Sequence, residues 1–441
     1  WLKCSSHRLS LMDPHEEEIH DRSVAEENCQ WTARFSTPVL VVGHAEGRRG
    51  PLPPEIQRLL LPSNANMAMA IFQGRLLLAW RTARIHWPTD SAKMLCTSCP
   101  FDLRAPLEQA LSGPWELEFE IVLEEDVREP YFYEMRGNLF FTFFKGNSKT
   151  FVDRMRRMRR RALSSWTEPE EWADKSQIVW QYARQPGDPR IFASAHRMHF
   201  LPGACCLGRC LPSVKADLYC SEDGEVWNTA PTTHPSGVSF PPDSTARNGA
   251  GEFGIAFDLD GDLWAVGRNE FGDASGWGSK LLRAPAASPG AWQATSDFSD
   301  PRVFQSCRLF RFGSDIYMIS RNDPGGPYWW YKKLRCWSPA FLEFLRYHIS
   351  RSFRRTQTIL SRINRSASPP SIEIIDFLPG CGDTAFPSIL RVGRSRFLVA
   401  NYSSPMEERC RSWSWIRGQF SSEGTQIHMY YLDFEKASAT L

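Results

Sequence analysis

The 441-residue sequence lacks several features that would assign it to a simple class. No apolar run reaches the roughly 18 residues that a transmembrane helix needs, so we expect no membrane span. The first residues contain no apolar core of a secretory signal, which favours a cytoplasmic location. Because the chain begins with Trp1 rather than Met, its N-terminus can be incomplete, and the compartment stays open.

An excess of charge of one sign is also missing. Lys and Arg number 52 against 50 Asp and Glu, which gives a net charge of +2. A dedicated nucleic-acid binder would be basic overall, so this balance argues against nucleic acid as a partner.

Cysteine is present but follows no regular spacing. Twelve Cys occur, and Cys96 and Cys99 form a single CxxC without a second pair at the spacing of a zinc site. We therefore expect no metal and no cofactor, and free thiols in a reducing compartment.

A hairpin motif recurs along the chain. Each copy consists of an apolar strand, a tight turn, a second apolar strand and a polar or charged residue at its end. The copies are Met67–Arg81, Glu129–Lys145, Ile178–His196 (the weakest), Glu252–Arg268, Pro301–Arg321 and Asp383–Asn401. A third strand and often a Trp follow, which is typical of β-propeller blades.

Six copies predict an all-β protein, a six-bladed β-propeller of four-stranded antiparallel blades over residues 35–441. The segment Pro38–Gly43 is expected to close the ring by pairing with Ile427–Tyr431, and residues 1–34 to form a mobile polar tail. The rival interpretations are a five-bladed ring, in which residues 178–196 form a loop, and an unrelated all-β sandwich.

Two insertions are expected, near residues 150–162 and 328–356. Arg154–Arg161 holds six Arg in eight residues, which suggests either a nucleic-acid patch or, more simply, a solvated loop of the second blade. The stretch 328–356 predicts a short helical, basic insertion in blade five, with Phe341, Leu342, Leu345 and Ile349 on one face. It is a candidate surface for a protein partner.

Charged and polar residues recur where the first strand of a hairpin begins and the second ends. In an antiparallel blade these two places share an edge, so in a closed ring they face one mouth of the channel. Clustered Arg can bind an anionic group. Clustered carboxyl groups can differ in pKa, so that one serves as an acid and another as a base, as glycosidic hydrolysis requires. The structural alternative is a set of salt bridges around a polar channel.

The segment Ser221–Trp227 matches the Asp-box pattern Ser-x-Asp-Gly-x-x-Trp. Together with the repeat, it resembles the sialidase (neuraminidase) superfamily of six-bladed propellers with Asp-box, or BNR-like, repeats. Arg75–Arg84 also resembles that family's Gly-x-Leu-Leu-Ala segment followed by Arg. The resemblance implies that Asp90 is a general acid, that Arg268 and Arg321 grip a substrate carboxylate, and that Glu252 assists a tyrosine.

The leading hypothesis is a sialidase-like glycoside hydrolase that is exo-acting on a glycan or other small substrate with an anionic group. The candidate catalytic residues are Asp90, Glu129, Glu252 and Asp383. The candidate substrate-binding residues are Arg81, Arg84, Arg128, Arg268, Arg302, Arg321, Asn401 and Tyr402. The alternative is a non-catalytic propeller that binds a carbohydrate or protein partner as a scaffold.

Overall fold

The computed structural model describes residues 14–26, 31–43, 50–146, 154–173, 177–200, 212–230, 250–273, 275–323, 340–406 and 413–437. The N-terminal part contains α1 (Pro14–Glu26), β1 (Trp31–Phe35), β2 (Val39–Val42) and α2 (Pro54–Gln57).

The first three blades follow in chain order. Blade 1 contains β3 (Ser63–Phe72), β4 (Arg75–Ala83), β5 (Lys93–Pro100), the helix α3 (Leu107–Leu111) and β6 (Glu116–Val122). Blade 2 contains β7 (Asp126–Met135), β8 (Asn138–Gly146), β9 (Met155–Ala162), β10 (Ser165–Trp166) and β11 (Glu170–Trp172). Blade 3 contains β12 (Gln177–Arg184), β13 (Ile191–Phe200), β14 (Pro212–Ser221) and β15 (Asn228–Thr229).

The remaining blades repeat this order. Blade 4 contains β16 (Ala250–Phe257), β17 (Leu263–Asp273), β18 (Gly276–Ala284) and β19 (Gln293–Ala294). Blade 5 contains β20 (Gln305–Phe312), β21 (Asp315–Asn322), the helix α4 (Ala340–Ser352), β22 (Gln357–Asn364) and β23 (Ser371–Cys381). Blade 6 contains β24 (Ser388–Arg391), β25 (Arg396–Ser403), the helix α5 (Trp415–Phe420) and β26 (Gln426–Lys436).

The six antiparallel sheets form the ring of a β-propeller, so the predicted fold class is confirmed. The weak copy at residues 178–196 is the hairpin of β12 and β13, and the five-bladed and sandwich alternatives are therefore wrong. The hairpins turn on residues such as Gly74 and Gly137, whose φ angles of 75° and 73° suit glycine. Apolar side chains pack between neighbouring blades: the rings of Phe192 and Phe257, for example, lie 5.1 Å apart.

The ring is closed by strands that are remote in sequence. Val39 pairs with Met429 in the ladder of β2 and β26, as predicted. β1 extends the same edge, with Trp31 opposite Lys436. Blade 6 thus takes its outer strands from the N-terminal part of the chain.

The N-terminal stretch, which was expected to be a polar tail, instead contains α1 and β1. Asp21 of α1 is only 1% exposed. Its carboxylate accepts hydrogen bonds from Arg311 Nε at 2.7 Å, Arg391 Nη1 at 2.7 Å and the Gly313 N–H at 2.8 Å. These partners lie in blades 5 and 6, at the end of the ring where the hairpins turn. Neighbouring Glu17 is buried there, which raises its pKa to about 7.

The arginine run 154–161 was expected to be a loop insertion, but Met155–Ala162 is the third strand of blade 2. Arg157 Nη2 lies 2.5 Å from Glu170, and Arg160 Nη2 lies 2.6 Å from Glu118. Arg157 and Arg160 thus have carboxylate partners within the fold.

The insertion in blade five is helical over Ala340–Ser352, as predicted, and residues 328–339 lie outside the described part. The side chains of Phe341, Leu342 and Leu345 also lie outside it. Across the described ranges, the helices are too short or too polar to span a membrane.

Four described cysteines are buried free thiols: Cys96, Cys99, Cys220 and Cys307. Cys381, however, is disulfide-bonded, so the expectation of free thiols throughout is wrong.

Candidate active site

The innermost strand of five blades carries a β-bulge near its start. The irregularity lies at Asn66, Glu129, Trp180, Glu252 and Ser306. Asn66, Glu129, Glu252 and Ser306 have φ angles of 45°, 52°, 54° and 50°. This conformation is costly for residues other than glycine, and bulges re-aim side chains near functional sites. The repeated strain therefore marks this mouth of the channel as a candidate site.

A pocket of about 160 Å³ opens between blades 2, 3 and 4 at this mouth. Of the residues predicted from sequence, Arg128, Glu129, Glu252 and Arg268 line it. The wall also includes Pro88, Asp126, Phe144, Gly146, Ile178, Trp180, His196, Val214, Gly251 and Glu270.

Glu129 is a buried carboxyl group, with 7% of the residue exposed. Asn66 Nδ2 donates to its Oε1 at 2.9 Å, whereas its Oε2 is buried without a hydrogen-bond partner among the described residues. Burial raises the pKa of Glu129 to about 7, with a further contribution from the negative charge of Glu252. The positive charge of Arg128 lowers the pKa of Glu129 but does not offset the effect of burial. Glu129 can therefore hold a proton near neutral pH.

Glu252 has the opposite electrostatic setting. Arg268 Nη1 donates to its Oε1 at 3.1 Å. Burial alone would raise the pKa of Glu252, but the positive charges nearby, chiefly that of Arg268, outweigh it and lower the pKa below its usual value. Glu252 is therefore ionised where Glu129 is still protonated.

His196 forms a neutral polar part of the wall. Its Nδ1 accepts hydrogen bonds from Trp180 Nε1 and from the Glu252 N–H, the latter at 3.2 Å. Burial lowers the pKa of His196 to about 4. Because Nδ1 accepts, the neutral ring carries its proton on Nε2.

Arg308 crosses the channel from blade 5. Its Nη2 donates to Tyr131 Oη of blade 2 at 2.6 Å. Its guanidinium carbon lies 4.4 Å from the centre of the Phe386 ring, which belongs to blade 6. These three side chains fill the channel beneath the bulge residues and so limit the depth of the site.

Asp383, Arg321 and Tyr402 lie together, beside the pocket rather than in it. Asp383 is fully buried, with Oδ2 at 2.7 Å from His86 Nδ1 and Oδ1 accepting from Tyr402 Oη at 3.3 Å. Arg321 Nη1 lies 3.8 Å from the same carboxylate. Burial raises the pKa of Tyr402 well above its usual value, so its hydroxyl stays protonated.

The helix α4 brings Arg351 to the mouth. Gln305 Oε1 accepts from Arg351 Nη2 at 2.6 Å and from Arg321 Nε at 2.9 Å. Arg351 Nη1 also lies 3.6 Å from Glu270. Arg351 is therefore packed against the site, whereas Ile349 on the same helix is exposed to solvent.

Arg81 was predicted to bind substrate, but it is fully buried and holds the loop that follows β4. Its Nε donates to Asp126 at 2.9 Å, and its Nη1 and Nη2 donate to the carbonyls of Ile85 and Trp87 at 3.3 and 3.0 Å. Arg128 Nη2 donates to the intervening carbonyl of His86 at 2.7 Å. Two arginines thus fix three successive carbonyls at the rim of the pocket.

Asp90 and Arg84 occupy the same loop but are exposed and do not line the pocket. Asp90 accepts a hydrogen bond from neighbouring Thr89 at 3.4 Å. Asp90 thus lies at the surface, whereas Glu129 is buried.

Arg302 and Asn401 also lie outside the pocket. Arg302 Nη2 donates to Asp300 at 2.6 Å and to the carbonyl of Ile372 at 2.7 Å, on the flank of blade 5. Asn401 is buried and donates to Thr358 Oγ1 at 2.9 Å. Both contacts support the fold rather than a ligand.

The turn Ser221–Trp227 has the bonding expected of its sequence. Asp223 Oδ1 accepts from the N–H groups of Glu225 and Val226 at 2.7 and 2.8 Å. Gly224 has a φ of 80°, and its carbonyl accepts from Trp227 Nε1 at 3.1 Å. This turn lies at the opposite edge of its blade from the pocket.

Sequence reasoning missed Trp180, Arg308, Arg351 and His86. Trp180 stands at the bulge position of the weakest repeat, so a stricter alignment of the six copies would have found it. No sequence signal pointed to Arg308, Arg351 or His86, because each reaches the mouth from another blade or from an insertion.

No protein-family model and no curated protein sequence matches this chain. Among solved structures, a protein of unknown function from Dyadobacter fermentans is similar, with a TM-score of 0.54 and 11% identity over 91% of this chain and 99% of that one. This likeness shows a shared fold.

Two further structures are similar over most of this chain. The α-L-arabinanase of Penicillium chrysogenum, complexed with arabinobiose, has a TM-score of 0.47 and 10% identity, over 91% of this chain and 98% of that one. A mutant of Trypanosoma rangeli sialidase that displays trans-sialidase activity has a TM-score of 0.48 and 9% identity, over 91% and 58%. The β-propeller predicted from the sequence is confirmed by the six sheets, and these likenesses to solved structures concern the fold alone.

Proposed function

We propose that this protein is a glycoside hydrolase with Glu129 as the general acid and Glu252 as the base or nucleophile. The observation that carries the proposal is the opposite displacement of two pKa values within one pocket: that of Glu129 is raised to about 7 and that of Glu252 is lowered. Two carboxyl groups whose pKa values differ in this way can act as the acid and the base of glycosidic hydrolysis.

In the bond-breaking step Glu129 donates its proton to the glycosidic oxygen as the carbon–oxygen bond breaks. The free Oε2 of Glu129 is the atom available for this transfer, because Oε1 is bound to Asn66. Glu252 either attacks the anomeric carbon or takes a proton from the attacking water. Its ion pair with Arg268 keeps it ionised for either role.

The substrate class that fits this pocket is a neutral glycan. Four carboxyl groups line the pocket (Asp126, Glu129, Glu252 and Glu270), against the two guanidinium groups of Arg128 and Arg268. Both arginines already bind carboxylates: Arg128 pairs with Asp126, and Arg268 pairs with Glu252 and Glu270. The anionic substrate suggested by the clustered arginines in the sequence is therefore less well matched than an uncharged sugar.

The test is hydrolysis of a panel of neutral and acidic aryl glycosides and short oligosaccharides by Glu129→Gln and Glu252→Gln variants. Each change removes one proton-transfer or nucleophilic group but keeps the shape of the side chain. We expect kcat to fall by about 10²–10⁴-fold with each variant, measured on the substrate that the parent protein cleaves best.

Glu116→Gln is the matched control, because Glu116 lies in β6 at the outer edge of blade 1 and pairs with Arg75. It should hydrolyse at the rate of the parent protein. Glutamine variants of Glu129 and Glu252 that remain fully active would refute the assignment. A parent protein that binds glycans from the panel but cleaves none would favour the non-catalytic scaffold.

A further inference from the structure

Two large aromatic side chains lie exposed and beside each other, and one of them, Trp87, directly precedes the pocket residue Pro88. Trp87 belongs to the loop after β4 and is 44% exposed, and Phe420 is the last residue of α5 and is 57% exposed. Their ring centres lie 6.2 Å apart with an angle of 25° between the planes, so the rings are stacked. We call this pair, Trp87 and Phe420, the aromatic rim.

The backbone beneath Trp87 is held in place without help from its indole ring. The carbonyls of Ile85, His86 and Trp87 accept hydrogen bonds from the guanidinium groups of the buried Arg81 and the half-buried Arg128. His86 then points inward to Asp383, while the indole of Trp87 points to solvent. An exposed aromatic ring on a fixed loop is a preorganised contact surface, since little ordering remains to be done when a ligand binds.

The aromatic rim adjoins the pocket through Trp87. Pro88 follows Trp87 and lines the pocket wall. The pocket, at about 160 Å³, is smaller than the ~300–1,000 Å³ typical of sites that enclose drug-sized ligands, so it encloses one sugar ring rather than a chain. A longer substrate must leave the pocket past its rim.

We propose that Trp87 and Phe420 form a second sugar-binding subsite, which stacks the ring adjoining the one held in the pocket. This inference rests on the proposed glycoside hydrolase function and adds that the substrate is an oligosaccharide of at least two neutral units. Apolar faces of sugar rings pack on aromatic rings through dispersion and burial of carbon-bound hydrogens. Exposed apolar patches beside a cleft are typical of such ligand grooves.

The test is equilibrium binding, by calorimetry, of neutral pentose and hexose oligosaccharides of one, two and three units. It uses the full-length chain carrying Glu129→Gln, alone and combined with Trp87→Ala, Phe420→Ala or Trp87→Phe. We expect each alanine variant to weaken binding of the two-unit sugars by about 3- to 10-fold and to leave single-unit binding unchanged. Trp87→Phe should restore most of the lost affinity.

Phe377→Ala is the matched control, because Phe377 is a phenylalanine of similar exposure, 53%, on the outer strand of blade 5. It should bind every sugar as the parent does. If two-unit sugars bind better than single units but alanine at Trp87 and Phe420 changes nothing, the subsite is wrong and the hydrolase proposal stands. Equal losses for single units would also refute it, because the effect would then act through the pocket. If no sugar of any length binds or is cleaved, the proposed function itself fails.

Discussion

Glu129 and Glu252 hold equivalent bulge positions in blades 2 and 4, yet their neighbours give them opposite ionisation. Glu252 faces a guanidinium group, which favours the charged form. One oxygen of Glu129 accepts from the amide of Asn66, and the other has no hydrogen-bond partner within the described part of the chain. Two glutamates at equivalent backbone positions thus acquire different chemistry from their surroundings.

The pH dependence of catalysis should reflect this difference. Hydrolysis requires Glu129 protonated, so kcat/KM should fall as the pH rises through about 7. It also requires Glu252 ionised, so kcat/KM should fall at acid pH only below the ordinary glutamate range, because its pKa is lowered. Asn66→Gly tests the upper limb: its amide lowers the pKa of Glu129, so removing it should move that limb to higher pH.

Glycine suits position 66 because φ there is positive, and Ser306→Gly, at the same bulge position in blade 5, is the control. A kcat/KM profile measured from pH 4 to 9 should shift with the first variant and not with the second. An upper limb that stays in place in Asn66→Gly would mean that another group is the acid.

At this scale the sequence predicted positions better than roles. The placement of Glu129, Glu252, Arg128 and Arg268 at strand starts and ends follows from hairpin periodicity, and these four residues line one pocket. Which arginine is available could not be predicted, because that depends on side-chain partners in other blades. Arg81 ends the second strand of its hairpin, as Arg268 does, but its guanidinium group is bound to Asp126 and to the carbonyl of Trp87.

At the scale of single elements, α1 shows how one acidic residue can fix a helix. Asp21 should be essential to its docking, because Asp21→Ala would leave Arg311 and Arg391 without their buried carboxylate partner. Removing one partner of a buried pair costs about 3–5 kcal/mol. We expect a loss of that size in the free energy of unfolding, measured in urea.

Glu18→Ala serves as the comparison, since Glu18 is half-buried and its partner in the same helix, Arg22, is exposed. Its cost should stay below about 1 kcal/mol. Equal, small effects of the two changes would show that α1 does not depend on Asp21.

Elements with a strong local pattern were predictable from sequence, and those with remote partners were not. The hairpins alternate around Gly turns such as Gly74, which are local signals. By contrast, β9 contains Arg157 and Arg160, and a run of charged residues predicts an exposed loop. Their carboxylate partners, Glu170 and Glu118, come from other strands and cannot be recognised in the local sequence. Likewise, α1 has a polar sequence, and its binding site is formed by Arg311 and Arg391, far along the chain.

At the scale of the whole molecule, stability depends on closing the ring. A variant lacking residues 1–43 loses both β1 and β2 and leaves one edge of β26 unpaired. Exposed strand edges promote association, so we expect this variant to aggregate and to lose its cooperative thermal transition. A variant lacking residues 1–30 keeps both strands but loses Asp21 of α1, so it should melt at a lower temperature than the parent while its transition stays cooperative.

A peptide of residues 31–43 offers a second readout, because strand addition can complete an open sheet. Adding it to the shorter variant should restore the transition. If the variant lacking residues 1–43 melts like the parent, closure by β1 and β2 is dispensable.

The pairing of β2 with β26 also determines when, during synthesis, the ring can close. A ribosome produces β1 and β2 before any strand of the blades, and β26 after all of them, yet Val39 must pair with Met429. The earliest strands therefore wait without a partner through nearly the whole of synthesis, and contacts so distant in sequence form slowly. A chain that stops before β26 leaves blade 6 without its central strand, so translation must reach β26 before the pocket has a closed ring behind it.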